Sequence, residues 1–181
     1  YLMTMGKNKI YKTNIFIKAI AVYGFRIFNR VHNIRKKMPD EVKAQKPPYL
    51  VLSNHIGYWD PFVAGCFLPY YTRYVSSDAA FRNPKVRFFL TRLGTIPKKK
   101  NIRDSKVIRD IISVIRQGNN VGIFPEAVRN WDGSTQPIDI SIAKLIKMCK
   151  VPVICPVMKG MNLFNPRWSQ KLRKAKVDIE Y

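Results

Sequence analysis

Short apolar runs alternate with helix-period patterns along most of this chain. Residues 49–53, 72–76, 120–124, 152–157 and 176–181 each read as a strand, being brief, rich in aliphatic and aromatic side chains, and bounded by turn residues. The clearest helix between them spans about 104–117, where Val107, Ile108, Ile111, Ile112 and Ile115 share one face, Asp104 can cap the start and Gly118 can end it. Further helical patterns lie at 61–68, 84–92 and 140–149. Strands separated by helices predict an α/β fold, a mixed, mainly parallel sheet flanked by helices.

The stretch from Ile10 to Ile34 is apolar and aromatic, but Lys12, Lys18, Arg26 and Arg30 interrupt it before any run reaches the length of an uncharged membrane span. Rings mixed with cations, followed by Arg35-Lys-Lys37, describe an amphipathic helix lying in the headgroup plane of an anionic bilayer. A helix packed on the core is the competing reading. Residues 39–48 read as a polar, proline-bearing linker. The expected division is therefore a membrane-interacting helical segment over 1–38 and a folded domain over 39–181. The sequence starts without methionine and stops inside an alternating, strand-like segment, which reads as a truncated chain.

Charge narrows the partners. Lys and Arg number 33 against 11 Asp and Glu, a formal net charge of +22 that implies a polyanionic neighbour: nucleic acid, anionic lipid or a phosphorylated substrate. Cys66, Cys149 and Cys155 are odd in number and lack C-x-x-C spacing, so neither a disulfide framework nor a zinc site is expected. They read as reduced, intracellular core residues.

Candidate chemistry gathers in four segments. NHIGYWDP at 54–61 follows the first strand run and holds His55 and Asp60, positions roughly 140° apart on a regular helix. A turn between strand and helix, with Asp60 as cap and Pro61 at the first helical position, can instead fold the imidazole onto the carboxylate. That contact fixes the tautomer and stabilises the protonated ring, as a general base requires; a loop histidine beside a helix cap is the plainer alternative. GTIPKKK at 94–100, closed by Arg103, offers a glycine turn and consecutive cations as a phosphate cradle, or simply a solvated surface. FPEAVRN at 124–130 places Glu126 and Arg129 just past a strand end, where Arg129 can grip a phosphate bidentately and Glu126 can orient hydroxyls or the arginine; a surface ion pair is the alternative. VPVICPV at 151–157 carries no acid–base chemistry and reads as a core strand. His55 and Glu126 both follow the carboxyl ends of strands, where open α/β sheets collect ligands.

In this order the four segments resemble the four motifs of the glycerolipid acyltransferases, the group containing the 1-acylglycerol-3-phosphate acyltransferases, over roughly residues 49–157. The resemblance implies His55 as catalytic base supported by Asp60, and acceptor or phosphate binding by Gly94, Lys98, Lys99, Lys100, Glu126 and Arg129. The implied reaction moves a fatty acyl group from acyl-CoA or acyl-carrier protein to a hydroxyl of a lysophosphatidate-like phosphorylated glycerolipid. Glycerol 3-phosphate and other lysophospholipids are the alternative acceptors. No metal or cofactor is implied beyond the thioester donor, and backbone N–H groups near Gly94 are the expected oxyanion donors. The implied partners are an anionic membrane surface, the acyl thioester and the acceptor, on the cytoplasmic face of a membrane in a peripheral or monotopic arrangement.

Three departures mark this chain. Ala127 and Val128 stand where the motif has glycine and threonine, Lys100 or a neighbour stands where it has arginine, and Gly57 replaces a frequent serine. A catalytically silent lipid-binding protein and a nucleic-acid-binding module are the rival classes. The second shows no helix-turn-helix, RNP or zinc-finger signature, so nucleic acid is not an expected partner.

Overall fold

The computed structural model describes residues 10–99, 104–169 and 171–181. Along the chain the elements are α1 (Ile15–Val31), β1 (Arg35–Lys37), α2 (Asp40–Ala44), β2 (Leu50–Leu52), α3 (Asp60–Gly65), β3 (Thr72–Ser77), α4 (Pro84–Arg92), β4 (Ile96–Lys98), α5 (Ser105–Arg116), β5 (Asn120–Ile123), α6 (Ser141–Cys149), β6 (Val153–Ile154), β7 (Val157–Lys159), α7 (Met161–Phe164) and β8 (Asp178–Glu180). A 3-10 turn, Asp78–Arg82, links β3 to α4.

Five strands form a wholly parallel sheet in the order β4-β3-β5-β2-β6, as the alternation of strand and helix predicts. Right-handed crossovers place α3 and α4 on one face and α5 and α6 on the other. On the second face Val107, Ile111, Val114 and Ile115 of α5 join Leu145 and Cys149 of α6 over Leu50, Val121 and Ile123. Burying each such side chain contributes about 1.5–3 kcal/mol. The expected cap holds, since the Asp104 side chain accepts from the Lys106 and Val107 N–H groups. Ile108 faces out, and Asp110 takes a buried position by pairing with Lys106 Nζ at 2.5 Å.

A smaller sheet, β1-β8-β7, was only partly anticipated. The run at 152–157 divides at Cys155-Pro156, so β6 joins the large sheet and β7 pairs antiparallel with β8 in the small one. The break also turns Cys155 outward, correcting its expected place in the core; Cys66 and Cys149 are buried. Arg35-Lys-Lys37, expected as the basic flank of the N-terminal helix, instead pairs parallel with β8, and Arg35 forms a two-point bond with Asp178. Part of the expected linker is helical as α2.

α1 is amphipathic in an inverted sense. Its inward contacts are aromatic and polar: Phe25 stacks on Phe62 at 4.1 Å, and the wholly buried Asn29 donates to Cys66 Sγ at 2.9 Å. Burial pushes the Cys66 thiol up to about 12, which keeps it protonated. Outward, Ile15, Phe16, Ile20, Tyr23, Ile27 and Val31 are all exposed along the length of the helix. Among the described residues no helix is long and apolar enough to cross a membrane.

Candidate active site

Leu52 of β2 lies level with Ile123 of β5, and the chain leaves both strands at the same edge of the sheet. His55 and Glu126 therefore emerge side by side, each just beyond the same row. The sequence predicts Asp60 as a helix cap, but Trp59 takes that position and Asp60 is the first helical residue. Its carboxylate turns back into the loop, where Oδ2 accepts from the backbone N–H of Ile56 at 2.5 Å and of Gly57 at 2.8 Å, and meets His55 Nδ1 at 2.8 Å. A turn wound around one carboxylate oxygen is what brings together two residues that helix geometry would separate.

This arrangement fixes the imidazole. An ionised carboxylate only accepts, so Nδ1 carries the hydrogen and Nε2 keeps its lone pair. Asp60 is fully buried, whereas the His55 side chain keeps 21% of its exposure. Phe124 stacks on the His55 ring at 4.3 Å with 19° between planes, and Tyr74 stacks on the other side of Phe124 at 5.6 Å. Burial raises the Tyr74 hydroxyl well above the usual phenol range, so this support stays neutral.

Glu126 and Arg129 join the same cluster. Glu126 is buried, and Oε1 accepts the His55 backbone N–H at 3.3 Å; Oε2 has no partner among the described residues. Arg129 reaches across to the first motif, donating to the Tyr58 hydroxyl at 3.2 Å with its guanidinium 4.0 Å from the Tyr58 ring centre. The two are not an ion pair with each other among the contacts described. Ala127 adopts φ 58°, the left-handed region that glycine occupies without strain.

The lysine segment lies elsewhere. Gly94 is buried at the end of α4, with its N–H on the Thr91 carbonyl at 3.2 Å and the Thr95 N–H on the Leu90 carbonyl at 3.0 Å. Its φ is +68°, and a Cβ there would sit 2.6 Å from Thr13 Oγ1. Gly94 thus serves the turn into β4, and its N–H is not free for an oxyanion or a phosphate, contrary to the sequence expectation. Lys98 ends β4; Lys99 is exposed, and its backbone N–H bonds Asp104 Oδ2 at 3.0 Å. Lys100 and Arg103 lie outside the described residues. β4 is three strands from β2 and two from β5 in the sheet order, about 14 Å and about 10 Å at normal strand spacing, so Lys98 and Lys99 share the edge with His55 but form no hydrogen bond or ion pair with its cluster among the described residues.

Sequence reasoning missed four supports. Asn54 donates to the Met158 carbonyl and accepts its N–H, both at 2.9 Å, which clamps β7 beside the histidine loop. The N–H of the buried Asn130 donates to the His55 carbonyl at 3.0 Å. Tyr58 and Phe124 hold the arginine and the imidazole. All four lie inside the quoted motifs, and their adjacency to His55 or Glu126 was the available signal.

Comparison with known proteins identifies the family and the fold. A model of the Acyltransferase family matches residues 30–159. A 1-acyl-sn-glycerol-3-phosphate acyltransferase of Bacillus subtilis is 24% identical over 113 residues, covering 62% of this chain and 56% of that protein. One of the same description from Borreliella burgdorferi is 30% identical over 96 residues, covering 51% of this chain and 38% of the relative. The chain thus spans about half or less of the length of these relatives. The crystal structure of the 1-acyl-sn-glycerophosphate acyltransferase PlsC from Thermotoga maritima shares the fold, with a TM-score of 0.72 at 19% identity over 91% of this chain and 66% of that one.

Proposed function

The chain belongs to the Acyltransferase family, and from that premise we propose that it transfers a fatty acyl group from a thioester, acyl-CoA or acyl-carrier protein, to the free hydroxyl of a lysophosphatidate-like glycerolipid. Both curated relatives carry the name of that activity, which supports this acceptor over glycerol 3-phosphate. The observation that carries the reading is the 2.8 Å contact between His55 Nδ1 and a buried carboxylate, with Nε2 open at the carboxyl edge of the sheet.

In this mechanism Nε2 takes the proton of the acceptor hydroxyl as its oxygen attacks the thioester carbonyl. The C–S bond breaks, and the departing thiolate recovers the proton from the imidazolium. Asp60 stabilises that imidazolium through Nδ1–H, so no serine or cysteine nucleophile takes part. Glu126 holds the His55 backbone, and Arg129 faces the acceptor's phosphate with a planar fork that Tyr58 keeps oriented. The residues call for no metal or cofactor in this chemistry. Transfer of labelled acyl groups from acyl-CoA to lysophosphatidate tests the proposal; near-wild-type turnover by a folded His55→Ala variant would remove the base from the mechanism.

The same proposal places the protein on an anionic membrane. The exposed stripe of α1 is continuous with α4, whose Val86, Phe88 and Phe89 are also exposed, and the Asn14 N–H bonds the Arg92 carbonyl at 2.7 Å where the helices meet. Arg30, Lys85 and Arg87 are exposed beside these apolar positions and match acidic headgroups. Flotation with phosphatidylglycerol vesicles, but not with phosphatidylcholine vesicles, is the expected result. Replacing Ile20 and Ile27 with serine should abolish it.

A further inference from the structure

Arg167 lies beyond both the four motifs and the residues matched to the family, yet the fold presses it against the site from two directions. Its Nη1 donates to the backbone carbonyl of Arg129. Two residues earlier, Asn165 fills the space beside Gly57: a Cβ at position 57 would lie 2.6 Å from Asn165 Oδ1. Asn165 is itself buried and has little room to withdraw. The side chain missing at 57 is therefore what lets the turn carrying Arg167 close on the histidine loop, and the departure from serine there acquires a reason.

The two arginines are prepared alike. The Arg167 guanidinium lies 4.3 Å from the ring centre of the exposed Trp131, as that of Arg129 lies 4.0 Å from Tyr58. Stacking holds a guanidinium plane in place and leaves its N–H edge free for an oxyanion. Among the described residues neither arginine has a carboxylate within ion-pair distance. Asp132, the acid closest in sequence to Trp131, is turned onto the Ser134 hydroxyl at 2.6 Å.

Charge balance asks for such a second cation. A phosphate monoester carries about −1.5 to −2 at neutral pH, more than one arginine offsets. Lys98 and Lys99 lie past β4, about 10 Å from β5, the strand that leads to Arg129, and among the described residues no hydrogen bond or ion pair joins them to the Arg129 loop. We propose that Arg167 is the second cation of the acceptor's phosphate site and, with Arg129, selects acceptors bearing a phosphate monoester. The inference rests on the acyl-transfer reading and deepens it, making the turn after α7 a specificity element of the same site.

Two measurements test it. In steady-state assays with acyl-CoA, Arg167→Gln should raise the KM for lysophosphatidate by roughly tenfold to a hundredfold while kcat changes by less than about threefold; Arg167→Lys should recover part of the loss. In equilibrium binding to the His55→Ala protein, added Arg167→Gln should weaken lysophosphatidate and leave its ratio to monoacylglycerol reduced at least tenfold. A rise in the KM for acyl-CoA with lysophosphatidate unaffected would assign the arginine to the donor's phosphates and overturn the proposal. Equal weakening of both lipids with a lowered Tm would reduce Arg167 to a brace for the Arg129 loop, and no change in either would remove it from the site. The binding arm needs no turnover, so a wild-type protein without acyl transfer would sink the reaction while leaving the phosphate site decided on its own data.

Discussion

Past β2 and β5 the polar groups are buried: Asp60 is 0% exposed, Asn130 2% and Glu126 5%. Past β4, on the same edge of the same sheet, Lys99 is exposed and the buried glycine before it spends its N–H on a helix end. At the first site three donors converge on one carboxylate oxygen, so the polar groups there hold one another in place. The second site leaves its cations in water at little cost. Chemistry that depends on one tautomer needs the buried arrangement; charge that only attracts an anion does not.

The largest expected effects break the buried half. His55→Ala should lower acyl transfer by on the order of a thousandfold, since a positioned base contributes about 10²–10⁴. Asp60→Asn should cost less, on the order of a hundredfold. Its amide oxygen must remain on the Oδ2 side to keep the Ile56 and Gly57 N–H groups, so Nδ1–H retains an acceptor and the tautomer survives. Only the negative charge opposite the imidazolium is lost, and charge-assisted bonds are about twice as strong as neutral ones. Equal losses in the two variants, measured as kcat at saturating acceptor, would mean that the amide turns its nitrogen toward Nδ1 and the tautomer is lost together with the charge.

What the sequence made legible follows the same division. The α5 period with its Asp104 cap, the parallel order implied by alternating elements, and the meeting of His55 with Asp60 all rest on local patterns that burial reinforces. β1 was invisible because three consecutive cations, exposed throughout, show no alternation; its strand exists only because β8, some 140 residues later, supplies an edge and Asp178 supplies a partner for Arg35. β4 hid inside a run that reads as solvated charge, and with it the lysines moved from the histidine's side to the far strand. Gly57 could be seen to depart from the motif, but its cause, Asn165, is more than a hundred residues away.

Arg129→Ala tests whether the buried half also holds the acceptor. Loss of a fork already stacked on Tyr58 should raise the acceptor KM roughly tenfold to a hundredfold, with kcat less affected. A fall in kcat with KM unchanged would put the arginine on the transition state instead.

Ala127→Gly probes the strain stored there. An alanine at φ 58° bears about 1 kcal/mol relative to glycine, so the variant should gain about that much stability and roughly 2–4 °C in Tm, with activity retained. A lowered Tm would show that the Ala127 methyl does more for the loop than its backbone costs.

The smallest effect should come from the solvated half. Lys98→Ala with Lys99→Ala removes two charges about three strands from His55, beyond the Debye length of about 8 Å at physiological salt. Acceptor kcat/KM should then change by less than about twofold at 0.15 M salt, rising to a few-fold at 0.01 M, where the screening length of about 30 Å lets distant charge steer an anionic substrate. Salt dependence is the discriminating variable, because a lysine in direct contact with the phosphate would lower kcat/KM at both ionic strengths. A loss rivalling that of Arg129→Ala at high salt would mean that the β4 end bends into the site when substrate binds, and the separation between the two ends of the edge would then describe only the unliganded protein.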